Sequence, residues 1–390
     1  MSSLTIAVVA GEVSGDLLAG DLVAALKQRY PGQIELIGVG GDSLQAEGLR
    51  SLFDFAELSV MGITQVLERL PTLVKRIRQT ADAIVQARPD LLLIVDSPDF
   101  THRVARRVRA KLPTLPVVNY VCPSVWAWKD YRAKQMCKYV DRVLAVLPFE
   151  PAEMQRLGGP PTDYVGHRLV ADRNLLNVRQ RRAERLTQDG IDLRTVMLLP
   201  GSRSSEITRL IPSFRQAVDI LAKRHPGMRF TLPTVTRRAE QIRALVSQWE
   251  VKPEIFVGET DKWQAFATAD AAMAASGTVI LELGLAGIPT VSAYKTDWII
   301  KLLAGKIKTW SAALPNLIAD YPVVPEYLNE VVRGGSLARW IERLGNDTLQ
   351  RRAMIEGFDL VWERMQTELP PGEKAAGIVL DLLQQKSRAR

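Results

Sequence analysis

Short, continuous apolar runs alternate along this chain with longer stretches of helical period. In the first half the apolar runs cover residues 4–10, 35–39, 91–96, 117–121 and 142–147, with a short one near Tyr164. Residues 16–30, 63–87, 100–111 and 131–139 carry apolar positions at helical spacing. Strands that are apolar throughout are buried on both faces, so they belong to a parallel sheet covered by helices. The second half repeats the rhythm at 195–199, 229–232, 254–257, 271–274 and 290–293, without repeating the sequence. The pattern predicts two Rossmann-like, doubly wound α/β domains, residues 1–168 and 169–335. A helical tail, 336–390, follows and either packs back on the first domain or is exchanged between subunits. Two such domains facing each other would line a common cleft with their strand C-termini.

Composition narrows the setting. Of 390 residues, 47% are hydrophobic and 24% charged, as in an ordinary globular protein large enough for two cores. Cys122 and Cys137 show neither metal-ligand spacing nor a disulfide framework, which fits a reducing compartment. The N-terminus runs into a strand without a basic leader, and no apolar stretch reaches membrane-spanning length, so a cytoplasmic location is expected. The formal net charge of +8 points to anionic company: nucleotides, nucleic acid or an acidic membrane surface.

Candidate chemistry gathers where strands end. In Leu198-Leu-Pro-Gly-Ser-Arg-Ser-Ser-Glu-Ile207 a strand breaks at Pro200-Gly201 and a helix begins, with Ser202 to Ser205 as N-cap hydroxyls. Free N–H groups at a helix start bind anions, and Arg203 adds a fork suited to phosphate oxygens. Ala275-Ser-Gly-Thr-Val-Ile-Leu-Glu282 is a second such corner: Ser276, Gly277 and Thr278 open a helix, and Glu282 lies one turn on, where a carboxylate can accept from ribose hydroxyls. Two corners of this kind in one domain point to a nucleotide-diphosphate donor. With no Asp-x-Asp pair or His cluster, no metal is expected.

In the first domain, Gly11-Glu-Val-Ser-Gly-Asp16 opens a helix after a strand, with Ser14 or Asp16 as its cap. It is not Gly-x-Gly-x-x-Gly, and no acidic residue ends the second strand, so no dinucleotide cofactor is expected. Glu12 is an odd choice for a packing turn, and it joins Ser14 as a candidate for chemistry. Asp99, in Asp96-Ser-Pro-Asp-Phe100, is either a helix N-cap or a general base deprotonating a hydroxyl nucleophile. Trp126 and Trp128 read as rigid cleft lining, and His167 as structural.

These segments, together with Leu147-Pro-Phe-Glu150, Val165-Gly-His167 and Leu314-Pro-Asn-Leu317, stand in an order that closely resembles the lipid-A-disaccharide synthase family. The resemblance runs from about Ile6 to about Tyr327. It implies a two-Rossmann (GT-B) hexosyltransferase without cofactor. The implied reaction is inverting, metal-independent transfer from UDP-2,3-diacylglucosamine to 2,3-diacylglucosamine 1-phosphate (lipid X). On this chain it makes Asp99 the base, with Glu12 and Ser14 beside it. Gly201, Ser202, Arg203, Ser276, Gly277, Thr278, Glu282 and Asn316 would hold UDP. Asp90 matches a further acidic position but precedes its strand and reads as structural.

Lipid substrates recast the basic, apolar stripe of residues 63–78. Val66, Leu67, Leu70 and Val74 become a docking patch for the inner-membrane surface, with Pro71 kinking or restarting the helix. The stretch from Trp298 to Trp310 has a similar make-up. A peripheral enzyme, with a homodimer as one assembly open to it, accounts for the positive charge better than nucleic acid, for which no motif is present. Two rival readings remain: another UDP-N-acetylglucosamine transferase or epimerase of the same fold, and a non-catalytic nucleotide- or lipid-binding relative.

Overall fold

A computed structural model describes residues 3–58, 63–296 and 308–388, residues 63–70, 189, 387 and 388 as backbone only. It divides into two compact units: Met1–Arg168 with Thr367–Arg390, and Leu169–Gln366. Each is built on its own six-stranded sheet, and every strand pairing is parallel.

The first sheet holds β1 (Leu4–Ala10), β2 (Ile34–Val39), β3 (Leu91–Val95), β4 (Val117–Tyr120), β5 (Arg142–Ala145) and β6 (Thr162–Tyr164). Their order is β2-β1-β3-β4-β5-β6. The chain steps outward from β1 to β2, then returns to the other side of β1 at β3. Such a reversal is the place where sheets of this kind characteristically bind ligands, at the strand C-termini. β3 ends one residue before the expected Asp96 and β4 one before Val121, because both take left-handed backbone, φ 54° and 73°. Asp90 accepts the Thr5 N–H at 2.9 Å, tying the start of β3 to β1, a structural role.

In the second sheet β7 (Thr195–Leu199), β8 (Arg229–Thr234) and β9 (Glu254–Val257) run outward. β10 (Ala271–Ala275), β11 (Thr290–Tyr294) and β12 (Glu326–Leu328) continue on the other side of β7. The reversal here lies between β7 and β10. The helix Ser204–Arg224 covers this sheet with Ile207, Leu210, Ile211, Phe214, Ala217, Val218 and Leu221 buried, one continuous stripe at helical spacing. Phe214 is fully buried, and truncating such a side chain costs about 3–5 kcal/mol.

The expected single tail is divided. Gly334–Gly345 packs on the Ser204–Arg224 helix, and Leu349–Met365 packs on the helices Thr278–Leu285 and Leu314–Ala319, so both belong to the second unit. Only Pro371–Arg388 belongs to the first, against Val13–Arg29, where Arg29 donates to the Glu373 carbonyl at 3.0 Å. Pro71 neither stops nor restarts its helix, which runs unbroken over Ile63–Ala87. The side chains of Val66, Leu67 and Leu70 lie outside the described residues, as does most of the Trp298–Trp310 stretch; Val74 is half-buried. No described helix is long and apolar enough to cross a membrane.

Candidate active site

At the β7/β10 reversal the second unit opens a cavity of about 480 Å³, within the range of small-ligand sites. Gly201, Ser202, Arg203, Ser276, Gly277, Thr278 and Glu282 all line it. Gly201 carries φ +105°, and a Cβ there would come within 2.6 Å of a Glu206 carboxylate oxygen, so the turn both needs glycine and has no room for more. The serine hydroxyls do not cap the following helix as expected. Arg203 is the N-cap, and Glu206 reaches back to its N–H at 3.4 Å while accepting from its guanidinium at 3.1 Å. A carboxylate three residues into the helix satisfies that end, leaving the hydroxyls turned to other partners: Ser204 Oγ accepts from Gln241 at 2.8 Å.

The cavity floor carries a charge pair that sequence reasoning missed. Lys262, on the helix Glu259–Thr268, donates to Glu282 at 3.0 Å, and the two side chains are only 19% and 17% exposed. Its ammonium also lies 4.4 Å from the Trp263 ring centre. Burial holds the Glu282 carboxyl above the ordinary Glu value, with Lys262 pulling the other way. No spacing rule links Lys262 to Glu282, because they sit on different helices after different strands.

Asn316 stands apart from these residues. It is buried; its amide nitrogen donates to Ser311 Oγ, the Val324 carbonyl and Glu326, and its oxygen accepts the Val323 and Val324 N–H groups at 2.9 and 2.7 Å. Asn316 is a clasp holding the loop before β12.

In the first unit the loops after β1 and β3 meet at the β1/β3 reversal. Ser14 Oγ donates to Asp96 at 3.3 Å, and a Cβ on Gly11 would collide with that of Ser97. Neither Ser14 nor Asp16 caps the first helix, whose N-cap is Glu12. Asp16 is buried and accepts instead from the N–H groups of Gly41, Ser43 and Leu44 at 2.7, 2.9 and 3.3 Å, pinning the turn after β2. Asp96 and Ser97 both adopt left-handed backbone, φ 54° and 44°. This places the N-cap of the helix Pro98–Lys111 at Ser97, so Asp99 falls in the first turn rather than at the cap. Its side chain is 78% exposed, with Arg132 at 3.8 Å. Asp99 therefore presents a carboxylate on the rim, at the N-terminal, positive end of a helix.

Trp126 locks its loop by donating to the buried Glu150 at 3.3 Å and packing edge-on against Phe149, while Trp128 is exposed beneath Lys129. Glu150 also accepts the Val146 and Leu147 N–H groups, yet burial pushes it up to about 8. His167 is lowered to about 4 by desolvation. Among the described residues no group of three His, Cys, Asp or Glu side chains is placed to hold a metal ion.

Two parallel six-stranded sheets of this topology, flanked by helices, define an architecture of the GT-B type. Solved structures with this fold include a UDP-GlcNAc 2-epimerase from Neisseria meningitidis, bound to UDP-GlcNAc. It is 13% identical with a TM-score of 0.59, over 98% of this chain and 100% of that one. The Methanocaldococcus jannaschii enzyme of the same name, in complex with UDP-GlcNAc and UDP, is 11% identical with a TM-score of 0.60, over 97% and 100%. At such identities the likeness extends to the fold alone. Sequence is more specific. The lipid-A-disaccharide synthase of Nitrobacter winogradskyi is 45% identical over 390 residues, 100% of this chain and 98% of its own, and the lipid-A-disaccharide synthetase family pattern matches residues 6–348. The chain belongs to this family of glycosyltransferases of lipid A biosynthesis.

Proposed function

We propose that the enzyme transfers 2,3-diacylglucosamine from its UDP form to the 6-hydroxyl of 2,3-diacylglucosamine 1-phosphate, giving the β-1,6-linked disaccharide 1-phosphate and UDP. The observation that carries this reading is the cavity at the β7/β10 reversal, a space of about 480 Å³ where two helix N-termini meet and where Arg203 and Lys262 are held in place by Glu206 and Glu282. Helix starts and guanidinium groups are the means by which a protein holds a diphosphate without a metal. The solved UDP-GlcNAc complexes of the same fold support a UDP-sugar there.

In this reading the second unit, Leu169–Gln366, is the donor side and the first the acceptor side. Asp99 takes the proton from the acceptor 6-hydroxyl as its oxygen attacks C1 of the donor, on the face opposite UDP. The C1–O bond to the diphosphate breaks, the anomeric centre inverts, and UDP leaves with the electron pair. Arg203, Lys262 and the N–H groups at Ser204 and Thr278 offset the charge that grows on it. Glu282 is placed to accept from the ribose hydroxyls. Glu12 and Ser14 support the rim that carries Asp99, Ser14 through Asp96. The apolar, basic stripe around Val66, Leu67, Leu70 and Val74 brings the enzyme to the inner-membrane surface where both lipid substrates reside.

Incubation with UDP-2,3-diacylglucosamine and lipid X in the presence of EDTA, followed by mass spectrometry, tests the reading. A disaccharide 1-phosphate with stoichiometric UDP is expected. UDP release without disaccharide, or a requirement for added divalent metal, would overturn the reaction as written.

A further inference from the structure

A second, smaller cavity of about 220 Å³ lies in the first unit beside Asp99, and three guanidinium groups, Arg103, Arg106 and Arg132, border it. Only one carboxylate, Asp99, stands among them, 3.8 Å from Arg132. Arg106 is oriented by the Tyr139 ring, 4.8 Å from its centre, and donates to the Tyr139 hydroxyl at 3.3 Å. Tyr139 is fixed in turn by the buried His102, whose other nitrogen meets Asn119 Oδ1 at 3.2 Å. Both imidazole nitrogens are thus occupied. Arg103 has no hydrogen-bond or ion-pair partner among the described residues. The cavity is therefore a cationic pocket in which Arg106 is held in place, with two positive charges more than its one acid can balance.

We propose that this pocket binds the phosphomonoester of the acceptor, and so sets the acceptor's orientation and selects phosphorylated over unphosphorylated sugar. The inference rests on the transfer reading above, and extends it to residues that reading leaves unused. A phosphomonoester carries about −1.5 to −2 charges near pH 7, which matches the excess of guanidinium. Its three oxygens suit planar N–H forks better than the single negative charge of a phosphodiester does. The spacing also fits. Asp99, Arg103 and Arg106 stand at i, i+4 and i+7 on one face of the helix Pro98–Lys111, so Arg106 lies about 10 Å along the axis from Asp99. In the acceptor, one hexose ring separates the 6-hydroxyl that Asp99 would deprotonate from the 1-phosphate.

Two experiments on the full-length enzyme decide it. In the first, transfer is measured at saturating donor with lipid X and with the same diacyl sugar lacking its 1-phosphate. The wild type is expected to prefer lipid X. Arg103→Ala should raise KM for lipid X about tenfold, leave the donor KM unchanged, and narrow the preference; Arg103→Lys should recover part of it. An equal loss with both acceptors, a raised donor KM, or a loss only of binding to anionic liposomes would overturn the proposal.

In the second, glucosamine 1-phosphate is titrated into wild type and Arg103→Ala without donor and followed by phosphorus NMR. Binding that weakens with the substitution supports the pocket even if no transfer is ever seen, in which case the transfer reading fails alone. Equal binding by both proteins, or none by the wild type, overturns the pocket whatever the enzyme catalyses.

Discussion

The two units share a topology and differ in how they hold their rims. In the second, the reversal is built from a glycine turn and ordinary helix starts, and its charges are paired before any ligand arrives: Arg203 with Glu206, Lys262 with Glu282. In the first, non-glycine residues hold more of the left-handed positions: Asp96 and Ser97 after β3, Val121 after β4, then Lys129, against Asn329 alone directly after a strand of the second sheet among the described residues. Backbone of this kind costs about 1–3 kcal/mol per residue and persists only where surrounding packing enforces it. The relaxed rim surrounds the larger cavity, and the strained one displays a single exposed acid. In the proposed reading the second sheet holds the donor and the first carries the general base.

The comparison breaks first at Asp99. Asp99→Asn should reduce kcat about 10²–10⁴-fold, as loss of a general base does, with the melting temperature unchanged because the side chain is 78% exposed. Turnover within a few-fold of wild type would remove Asp99 from the mechanism.

A pair of glycine substitutions sharpens the contrast. Gly11→Ala forces the Ser97 turn to move, since its Cβ meets that of Ser97, and overpacking of this sort costs about 1–3 kcal/mol. It should lower kcat while sparing UDP affinity. Gly201→Ala, strained at φ +105°, should weaken UDP binding about tenfold. The same pattern of loss from both substitutions would mean that the rims do not divide the work.

The pH dependence of stability sets buried groups of the first unit against one another. His102 and His167 are lowered from 6.5 to about 4, so below pH 6.5 the unfolded chain takes up protons that the folded one refuses, and stability falls with acid. Glu150 is raised from 4.5 to about 8, so as pH climbs through that window the unfolded chain sheds a proton that the folded one keeps, and stability falls with base. Below pH 6.5 the two histidines outweigh the one glutamate, and from there to about 8 the glutamate prevails, so these three groups together place a maximum at about pH 6.5. Glu282 of the second unit, also raised by burial, acts in the same direction as Glu150. Thermal melts across pH should show this maximum, and Glu150→Gln should flatten the alkaline side; an unchanged limb would assign the slope elsewhere.

The smallest effect is expected of Ser14→Ala, which removes one hydrogen bond to Asp96 and should cost about 0.5–1.5 kcal/mol with a modest fall in kcat. A fall as deep as that of Asp99→Asn would give Ser14 a direct part in the chemistry.

Much of the fold was legible because fully buried parallel strands leave uninterrupted apolar runs. The runs at β1, β7 and β9 match the observed strands end to end. β12 was missed: Glu326–Leu328 is a three-residue edge strand with no apolar run to mark it. The strand ends at Asp96 and Val121 were overrun because left-handed backbone at a non-glycine residue leaves no mark in hydrophobic pattern. At the donor rim, turn chemistry pointed to Gly201, Arg203, Ser276 and Glu282, which do line one cavity. Lys262 escaped because Glu282 sits on another helix, and the arginine pocket because Arg132 and Tyr139, which complete it around the helix carrying Asp99, Arg103 and Arg106, come from a later segment. Asn316 carried a family match, but its placement shows an amide fully used in holding a loop.

The division of labour is tested most directly by titrating UDP into wild type, Asp99→Asn and Lys262→Met. Lys262→Met leaves Glu282, 17% exposed, without its cation inside the cavity, and should weaken UDP binding about tenfold or more. Asp99→Asn should bind UDP as the wild type does while turning over almost nothing. Equal weakening by the two variants, or full UDP affinity in Lys262→Met, would contradict the assignment of donor binding to the second unit and of chemistry to the first.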